Sequence, residues 1–460
     1  MLISPTAIIV IVLWLLGFAA TMLVKRSPEA LCGWMLAGWL FLPQFTLDLP
    51  GVVLTRVRLI TLATGLAAFL VNADRRTMLR FSMVDLPVMG ISLAAFGASL
   101  SNGLGVYDGF VVALDLFLLW GLPWFVGRFI FATPKNKKIL IQYCIAAALV
   151  YVPFCLYEMK MAPILHSELY GYAPRGHSGL RGESLRFGLW RPMVFLETGL
   201  QLSLFMGISS VLAFWGALTH GVREILRIPV GKASAVLVII TVFCVSTGSI
   251  ILTLLGWCFV FISRSKLKVY LLITICLIPI LYPIYRMVNI GGLDVNISQD
   301  ESMLSDREAS LRFRIDSEDK FLQRWTQHPL LGWTSRYFRF SERKSIPDSL
   351  WIQMLCKFGL IGWMAVTAAM VLPVGNACRV LGRTTAHRRA EYILGLSVLI
   401  FMLDCLFNAM ECPVYMIMAG AAAVVTIRDE STEITASTKP SHRVPRLRRV
   451  AWPTLQNPTT

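Results

Sequence analysis

Apolar runs of the length a bilayer demands, roughly 17 to 25 residues each, recur along almost the whole chain and are separated mostly by short polar breaks. Placed by hydropathy, about thirteen spans fall near 3–24, 28–44, 54–72, 84–101, 108–126, 138–157, 196–219, 233–247, 249–263, 268–288, 350–374, 392–409 and 412–427. The pattern predicts an all-α, polytopic transmembrane helical bundle of about 12–13 spans over residues 1–427. Composition says the same, since 56% of the 460 residues are hydrophobic and only 15% are charged, against about 25% in soluble domains. The first run, Leu2 to Val24, has no Lys or Arg at its start and is too long for a signal peptide, so it reads as a retained helix.

The polar breaks carry the orientation. Lys25 and Arg26, Arg75 to Arg80, Arg128 with Lys135 to Lys138, Arg223 to Lys232, Arg264 to Lys268, and Arg379 to Arg389 all fall in one set of alternate connections. The opposite short connections, 45–53, 102–107, 248 and 410–411, hold neither Lys nor Arg. The positive-inside rule then puts the tail inside and the N-terminus outside, and it makes both long loops, 158–195 and 289–349, external. That is the topology of a multi-pass membrane protein with two long outer loops. The net charge of +16 reflects Lys and Arg in the inner loops and does not by itself imply nucleic acid, for which the short tail after Arg428 is the only candidate module. The polar segment 428–460 reads as a disordered cytoplasmic tail whose Arg443, Arg446, Arg448 and Arg449 suit anionic lipid. The ten cysteines lie almost entirely in apolar runs and form no CxxC pair, so they indicate neither a zinc site nor a disulfide framework. No repeat argues for an inverted-repeat transporter.

The two long loops are where chemistry is to be sought, because a polar segment of that length cannot be buried in lipid. They hold Arg175, Arg181, Arg186 and Arg191, then Arg307, Arg312, Arg314, Lys320, Arg324, Arg336, Arg339, Arg343 and Lys344. Such segments beside a membrane face suit an anionic lipid-linked ligand. They equally suit a solvated loop that pairs with its own Asp and Glu, and the charges alone leave both readings open.

Within the second loop, RIDSEDKFLQRWTQHPLLGW is followed by PDSLWIQMLCKFGLIGW. Arg314 lies fourteen residues before His328, which begins His-Pro-Leu-Leu-Gly, and Gly359-Leu360-Ile361-Gly362 closes the pattern. Trp190-Arg191-Pro192 precedes the seventh span. These motifs resemble the O-antigen ligase and O-antigen polymerase superfamily. The resemblance implies a metal-independent, cofactor-free glycosyltransferase that moves undecaprenyl-pyrophosphate-linked glycan at the periplasmic face. Its partners would be the lipid-linked glycan, the bilayer, and a chain-length regulator and flippase of the same pathway. Eleven residues before Gly359, where the family carries His, stands Asp348, and Ser349 replaces the partner Asn. A Ser-Arg pair of the family appears here as Ser246-Thr247-Gly248-Ser249. These departures fit an exopolysaccharide-type polymerase better than an O-antigen ligase proper.

The chemistry needs an Arg to hold the leaving pyrophosphate and a carboxylate or His to take the acceptor proton. Arg191 and Arg314 are the candidates for the first role and Asp348 for the second. Arg181, Arg186, Arg324, His328 and Arg336 are candidate substrate contacts, and Glu197, a turn past Arg191, is a candidate to orient it. Each has a plainer reading. Asp348 after Pro347 makes a good helix N-cap, Arg191 can snorkel, Arg314 can pair with Glu318 at i+4, and His328 can serve a turn. Arg56 and Arg58 read as snorkelling, Asp115 and Asp404 as partners of a buried Arg or as a proton path, and Asp316 to Asp319 as a water-facing carboxylate run. A lipid-linked glycan flippase is the alternative, and it would depend on Asp115, Asp404 or Arg56 rather than on the 289–349 loop.

Overall fold

A computed structural model describes residues 4–49, 52–71, 81–173, 185–186, 188–219, 221–262, 265–290, 303–340, 347–381 and 389–424. The tail, Arg175 and Arg181 lie outside the described residues, as do the side chains of Arg186, Arg307 and Arg312. In chain order the helices are α1 (Pro5–Lys25), α2 (Pro28–Phe41), α3 (Arg56–Val71), α4 (Leu86–Ser101), α5 (Gly105–Leu116) and α6 (Leu122–Ile130). Then come α7 (Pro134–Met161), α8 (Leu165–Tyr170), α9 (Gly199–Thr219), α10 (Val230–Phe243), α11 (Thr247–Phe261) and α12 (Ser265–Val288). The last five are α13 (Met303–Trp325), α14 (Thr334–Phe340), α15 (Leu350–Leu381), α16 (Ala390–Asp404) and α17 (Pro413–Ala422). A π-helical turn, Phe117–Gly121, joins α5 to α6.

Several starts are written locally. Ser4-Pro5, Ser27-Pro28 and Thr133-Pro134 each place a capping hydroxyl before a proline in the first turn, and the hydroxyl accepts from the backbone N–H three residues on. Each of the thirteen predicted segments is a helix. Among the described residues seven stretches are long and apolar enough to cross a membrane: α1, Met83–Ser101, Gly105–Ile130, α7, α9, Lys266–Val288 and α15. The other segments, α2, α3, α10, α11, α16 and α17, have 14, 16, 14, 15, 15 and 10 residues. At about 1.5 Å per residue they fall well short of the ~30 Å hydrocarbon thickness.

The helices run alternately up and down, which collects the connections at two ends. At one end lie buried ion pairs. Arg128 pairs with Asp85, and Lys137 Nζ meets Glu391 at 2.7 Å and the Val424 carbonyl at 2.8 Å. Close packing there uses small residues. A Cβ on Gly127 or Gly420 would overlap the backbone of the facing helix, so α6 and α17 touch main chain to main chain. The opposite end, the loop face, gathers segments 42–49, 52–55, 102–104, 158–173, 188–198, 244–246 and 405–412 and α13, α14 and the start of α15. A short hairpin, β1 (Thr46–Leu49) with β2 (Val52–Thr55), also lies there. Two-residue strand pairs occur at 185–190 and 224–229. Hydropathy does not predict these pairings, which satisfy backbone groups where the chain leaves the helices.

Candidate functional site

The motif pair HPLLG and GLIG forms a main-chain clasp. Gly359 has φ 65° and ψ −167°, which breaks α15 into two helical pieces. The break frees backbone groups, and the loop after α13 takes them up. Leu360 N–H donates to the Pro329 carbonyl (2.9 Å), Ile361 N–H to Leu330 (3.2 Å), and Trp333 N–H to Cys356 (3.0 Å). Gly332, at φ 70°, is the facing glycine. A Cβ on Gly359 would strike the Leu330 backbone and one on Gly332 the Gly359 N, so both positions require the missing side chain. The far side of the clasp is fastened to α4, with Asn102 donating to the Gly332 carbonyl (2.9 Å) and Ser99 bonded to Thr334 (3.0 Å).

This clasp fixes α13 beside the mouth of α15, and there Arg314 and Asp348 meet. Arg314 Nε lies 3.0 Å from Asp348 Oδ2, with the side chains 32% and 50% exposed. Arg314 Nη1 also donates to the Phe407 carbonyl at 3.3 Å. Burial pushes the Asp348 carboxyl above the usual carboxylate range, and the Arg314 charge pulls it partly back. Asp348 stands two residues before Leu350, the first residue of α15. The carbonyl of Ser349 takes the first intrahelical bond, from Gln353 (3.0 Å), so the N-cap position is Ser349 and the Asp348 carboxylate is turned to Arg314.

The i+4 pairing of Arg314 with Glu318 does not form. Glu318 accepts from Arg286 Nε (3.1 Å) and the Tyr282 hydroxyl (2.7 Å), while Asp319 takes Arg286 Nη2 (2.8 Å). Asp316 is exposed, but Ser317 and Glu318 belong to a buried stripe with Phe321, Leu322 and Trp325. The Asp316–Asp319 run therefore faces water only in part. Helical spacing turns Glu318 inward, and Arg286, at the end of α12, supplies the charge that permits it.

Arg191 takes a different position. Its aliphatic stem lies against Gly199 at the start of α9, and Nη2 donates to the Val245 carbonyl at 2.9 Å, in the turn between α10 and α11. Arg191 and Arg314 thus bond to different turns, through the Val245 and Phe407 carbonyls. The loop that carries Arg191 is tightly held. Glu158 accepts from the N–H groups of Leu165, Met193 and Val194 at 2.7–3.1 Å, and Phe195 N–H donates to the Tyr151 hydroxyl at 3.1 Å. His166 is buried between Gln44 N–H, which donates to Nε2 (3.0 Å), and the Tyr172 carbonyl, 3.0 Å from Nδ1. Burial lowers the His166 pKa to about 4, so the ring is neutral, and Nδ1 carries the proton that bonds Tyr172.

Arg56 and Arg58 are buried rather than snorkelling, at 2% and 4% exposed. Arg56 Nη1 donates to the Leu42 carbonyl (3.2 Å) and to that of Phe195. Arg58 forms a two-pronged pair with Asp115, with Nη2 2.7 Å from Oδ2, and also donates to the Val53 carbonyl (2.8 Å). Asp115 thus holds the bundle through an Arg, as one of its two readings has it. Asp404 is buried without such a pair, and its Oδ1 accepts from Asn408 (3.1 Å). The Glu197 charge acts on Arg56 and on Glu411, whose ionisation it influences.

The remaining candidates serve the clasp and its border. Arg324 stacks over Trp333 (4.5 Å) and His328 meets the same ring edge-on (4.2 Å), which supports the packing reading of His328. Arg336 pairs with Asp108 at 2.6 Å and borders a small cleft of about 90 Å³ with Arg58 and Asp115. Among the described residues no three of His, Cys, Asp and Glu converge to hold a metal ion. Sequence reasoning missed Arg286, Gln201, Lys357 and Glu411. For Glu411 the signal was present, since it is the sole charge in the short connection between the last two spans. No protein-family model matches the chain, and no curated protein matches it.

Proposed function

We propose that this protein is a membrane glycosyltransferase acting on a lipid-pyrophosphate-linked glycan at the loop face, with polymerisation preferred over ligation. The observation that carries the reading is the Arg314–Asp348 pair, partly exposed at the mouth of a membrane-spanning helix. Arg314 spends one N–H on Asp348 and one on a carbonyl, so its remaining donors can turn to a phosphate oxygen. A pyrophosphate carries more charge than one carboxylate and competes for the guanidinium. As the sugar carbon–oxygen bond breaks, charge grows on the leaving pyrophosphate, and a fixed guanidinium stabilises it. Asp348, released from Arg314, accepts the proton of the acceptor hydroxyl. Arg191, held at the α10–α11 turn, is proposed to contact the glycan or its phosphate from the other side of the face.

The test is replacement of Arg191, Arg314 and Asp348 by Ala in the native host, with protein level measured in the same membranes. Loss of polymer at unchanged protein level is expected, and unchanged polymer length and yield would sink the reading. Buried Asp404, with Oδ2 unpartnered among the described residues, favours a second reading as a lipid-linked glycan flippase. In that case Asp404→Asn would abolish export while changes at Arg314 and Asp348 were tolerated.

A further inference from the structure

Besides the Arg314–Asp348 mouth, the loop face holds a second polar opening that the mechanism above does not use. It is the cleft of about 90 Å³ lined by Val53 of β2, Arg58 of α3, Val111, Val112 and Asp115 of α5, and Arg336 of α14. On the same measure one water takes about 10–15 Å³, so the cleft admits a group of roughly six to nine non-hydrogen atoms. Its charges sit at two depths. At the rim, Arg336 Nη2 lies 2.6 Å from Asp108 Oδ1, with the Arg336 side chain 45% exposed. At the floor, Arg58 Nη2 lies 2.7 Å from Asp115 Oδ2. Asp108 is the fourth residue of α5 and Asp115 the eleventh, so the floor lies about 10 Å further along the helix. Asp115 is still 28% exposed there, so the cleft is open to its floor.

The faces of α5 show what the cleft opens onto. Asp108, Val111, Val112 and Asp115 recur at i, i+3, i+4 and i+7 and make one stripe, the wall of the cleft. Gly109 turns to protein, since a Cβ there would meet the Phe96 ring of α4 at 3.0 Å. Val106, Tyr107 and Phe110 are exposed, and they lie in a stretch long and apolar enough to cross the membrane, so this third face meets lipid. Tyr107 stands one turn before Val111, so the lipid face and the cleft adjoin along the helix. The opposite wall is held in place. Ser99 and Asn102 of the α4 end bond Thr334 and the Gly332 carbonyl, which fixes the start of α14 and with it Arg336.

We propose that this cleft binds the headgroup of a zwitterionic phospholipid of the surrounding bilayer, with its phosphate on Arg336, its primary ammonium turned to Asp108 and Asp115, and its chains along Val106, Tyr107 and Phe110. Size, charge and place each select this ligand. A phosphodiester with an ethanolamine arm has about eight non-hydrogen atoms and fits, whereas a hexose, with about twelve, does not. Two guanidinium groups and two carboxylates leave the cleft without net charge, so a lone anion gains little, while each end of a zwitterion meets its own counter-charge. Both ion pairs can stay in place, because a guanidinium has five N–H donors and a carboxylate about four acceptor sites. A lipid is the source because the cleft adjoins the lipid face of the same helix. The proposal does not rest on the glycosyltransferase reading.

The experiment titrates the purified full chain, in one detergent, with phosphatidylethanolamine, phosphatidylglycerol and phosphatidylcholine of identical acyl chains. The first bound lipid is counted by native mass spectrometry. Phosphatidylethanolamine should bind at least about tenfold more tightly than phosphatidylglycerol, which has no ammonium, and phosphatidylcholine, whose ammonium has no N–H to donate. Val111→Trp, which fills the cleft, should reduce that preference to about twofold or less, and so should Arg336→Gln. Arg336 is half-exposed, so Arg336→Gln decides the matter should Val111→Trp fail to fold. Equal binding of the three lipids by the parent chain, or a preference for phosphatidylglycerol, overturns the zwitterion. A preference that survives substitution puts the lipid elsewhere and overturns the cleft. Glycerophosphoethanolamine, the same headgroup without chains, should bind far more weakly; binding as tight as the lipid's overturns the bilayer as the source. None of these readouts depends on glycan transfer, so this proposal and the glycosyltransferase reading can fail separately.

Discussion

Gly359→Ala isolates what the main-chain clasp contributes. A residue other than glycine at φ 65°, ψ −167° costs about 1–3 kcal/mol in backbone strain alone. The added Cβ also collides with the Leu330 backbone, which cannot swing aside as a side-chain tip can. Opening the clasp to relieve that contact forfeits three backbone hydrogen bonds, from Leu360, Ile361 and Trp333, each worth about 0.5–1.5 kcal/mol net. The sum is about 3–7 kcal/mol, comparable to the whole stability of many domains. The assay is thermal dispersal of the detergent-solubilised protein, followed by size-exclusion chromatography after heating. Gly375→Ala is the control, since nothing lies within 4 Å of its Cβ position and alanine is the better helix former. Gly359→Ala should lower the midpoint by many degrees and Gly375→Ala leave it equal or higher. A Gly359→Ala midpoint within two degrees or so of the parent would refute the clasp as a stabilising element. Gly332→Ala combined with Gly359→Ala should cost less than the sum of the two, because both break the same contact.

Other outcomes follow from single contacts. Asp348→Asn should lower polymer synthesis by about 10²–10⁴-fold with protein level unchanged, the usual span for a general base, and its thermal midpoint should stay near the parent's. The active form of Asp348 is the carboxylate, so activity should fall as pH drops through its raised pKa; Arg314→Gln removes the influence that lowers it and should move the acid limb of the pH–rate profile to higher pH. His166 has its pKa depressed to about 4, so its contribution to stability is complete above the unfolded value near 6.5 and is lost as pH falls toward 4. The protection factor of the Gln44 amide, whose N–H is held by His166 Nε2, should fall across that window once intrinsic exchange is corrected for pH. Arg286→Met should destabilise by about 3–5 kcal/mol by stranding Glu318, and adding Glu318→Met should restore much of the loss, read as membrane yield and thermal midpoint.

The helices were legible because each span carries its own apolar run, and no long-range contact is needed to detect one. Span length was less legible. Hydropathy smooths over ends that in the structure are taken up by turns, as at Cys244–Ser246, where the Val245 carbonyl receives Arg191. For the site, spacing brought Arg314 and Asp348 forward, and the structure pairs them through a clasp made of the same motif residues. Pairings that depend on which way a helix face turns were not legible. Glu318 and Arg314 sit one turn apart on α13 but have different partners, because one side chain faces α12 and the other the mouth of α15. The surroundings of Glu411, unlike its place between two spans, were hidden for another reason, since they come from α3, α5, α9 and α15, which are distant in the chain.

The two short helices α10 and α11 have a consequence for the membrane itself. Val236, Ile239, Ile251 and Leu254 are exposed on them, so each of these helices turns one face to lipid. Helices of 14 and 15 residues cover only about 21–22 Å, several ångströms less than the acyl layer beside them. Lipid adjoining this part of the protein must thin to match, which draws its headgroup plane inward at the turn that receives Arg191. A headgroup there sits deeper than in the surrounding bilayer, nearer the level of the α10–α11 turn than the flat membrane surface would allow. On this side the protein shapes the bilayer it sits in, lowering it where Arg191 is held.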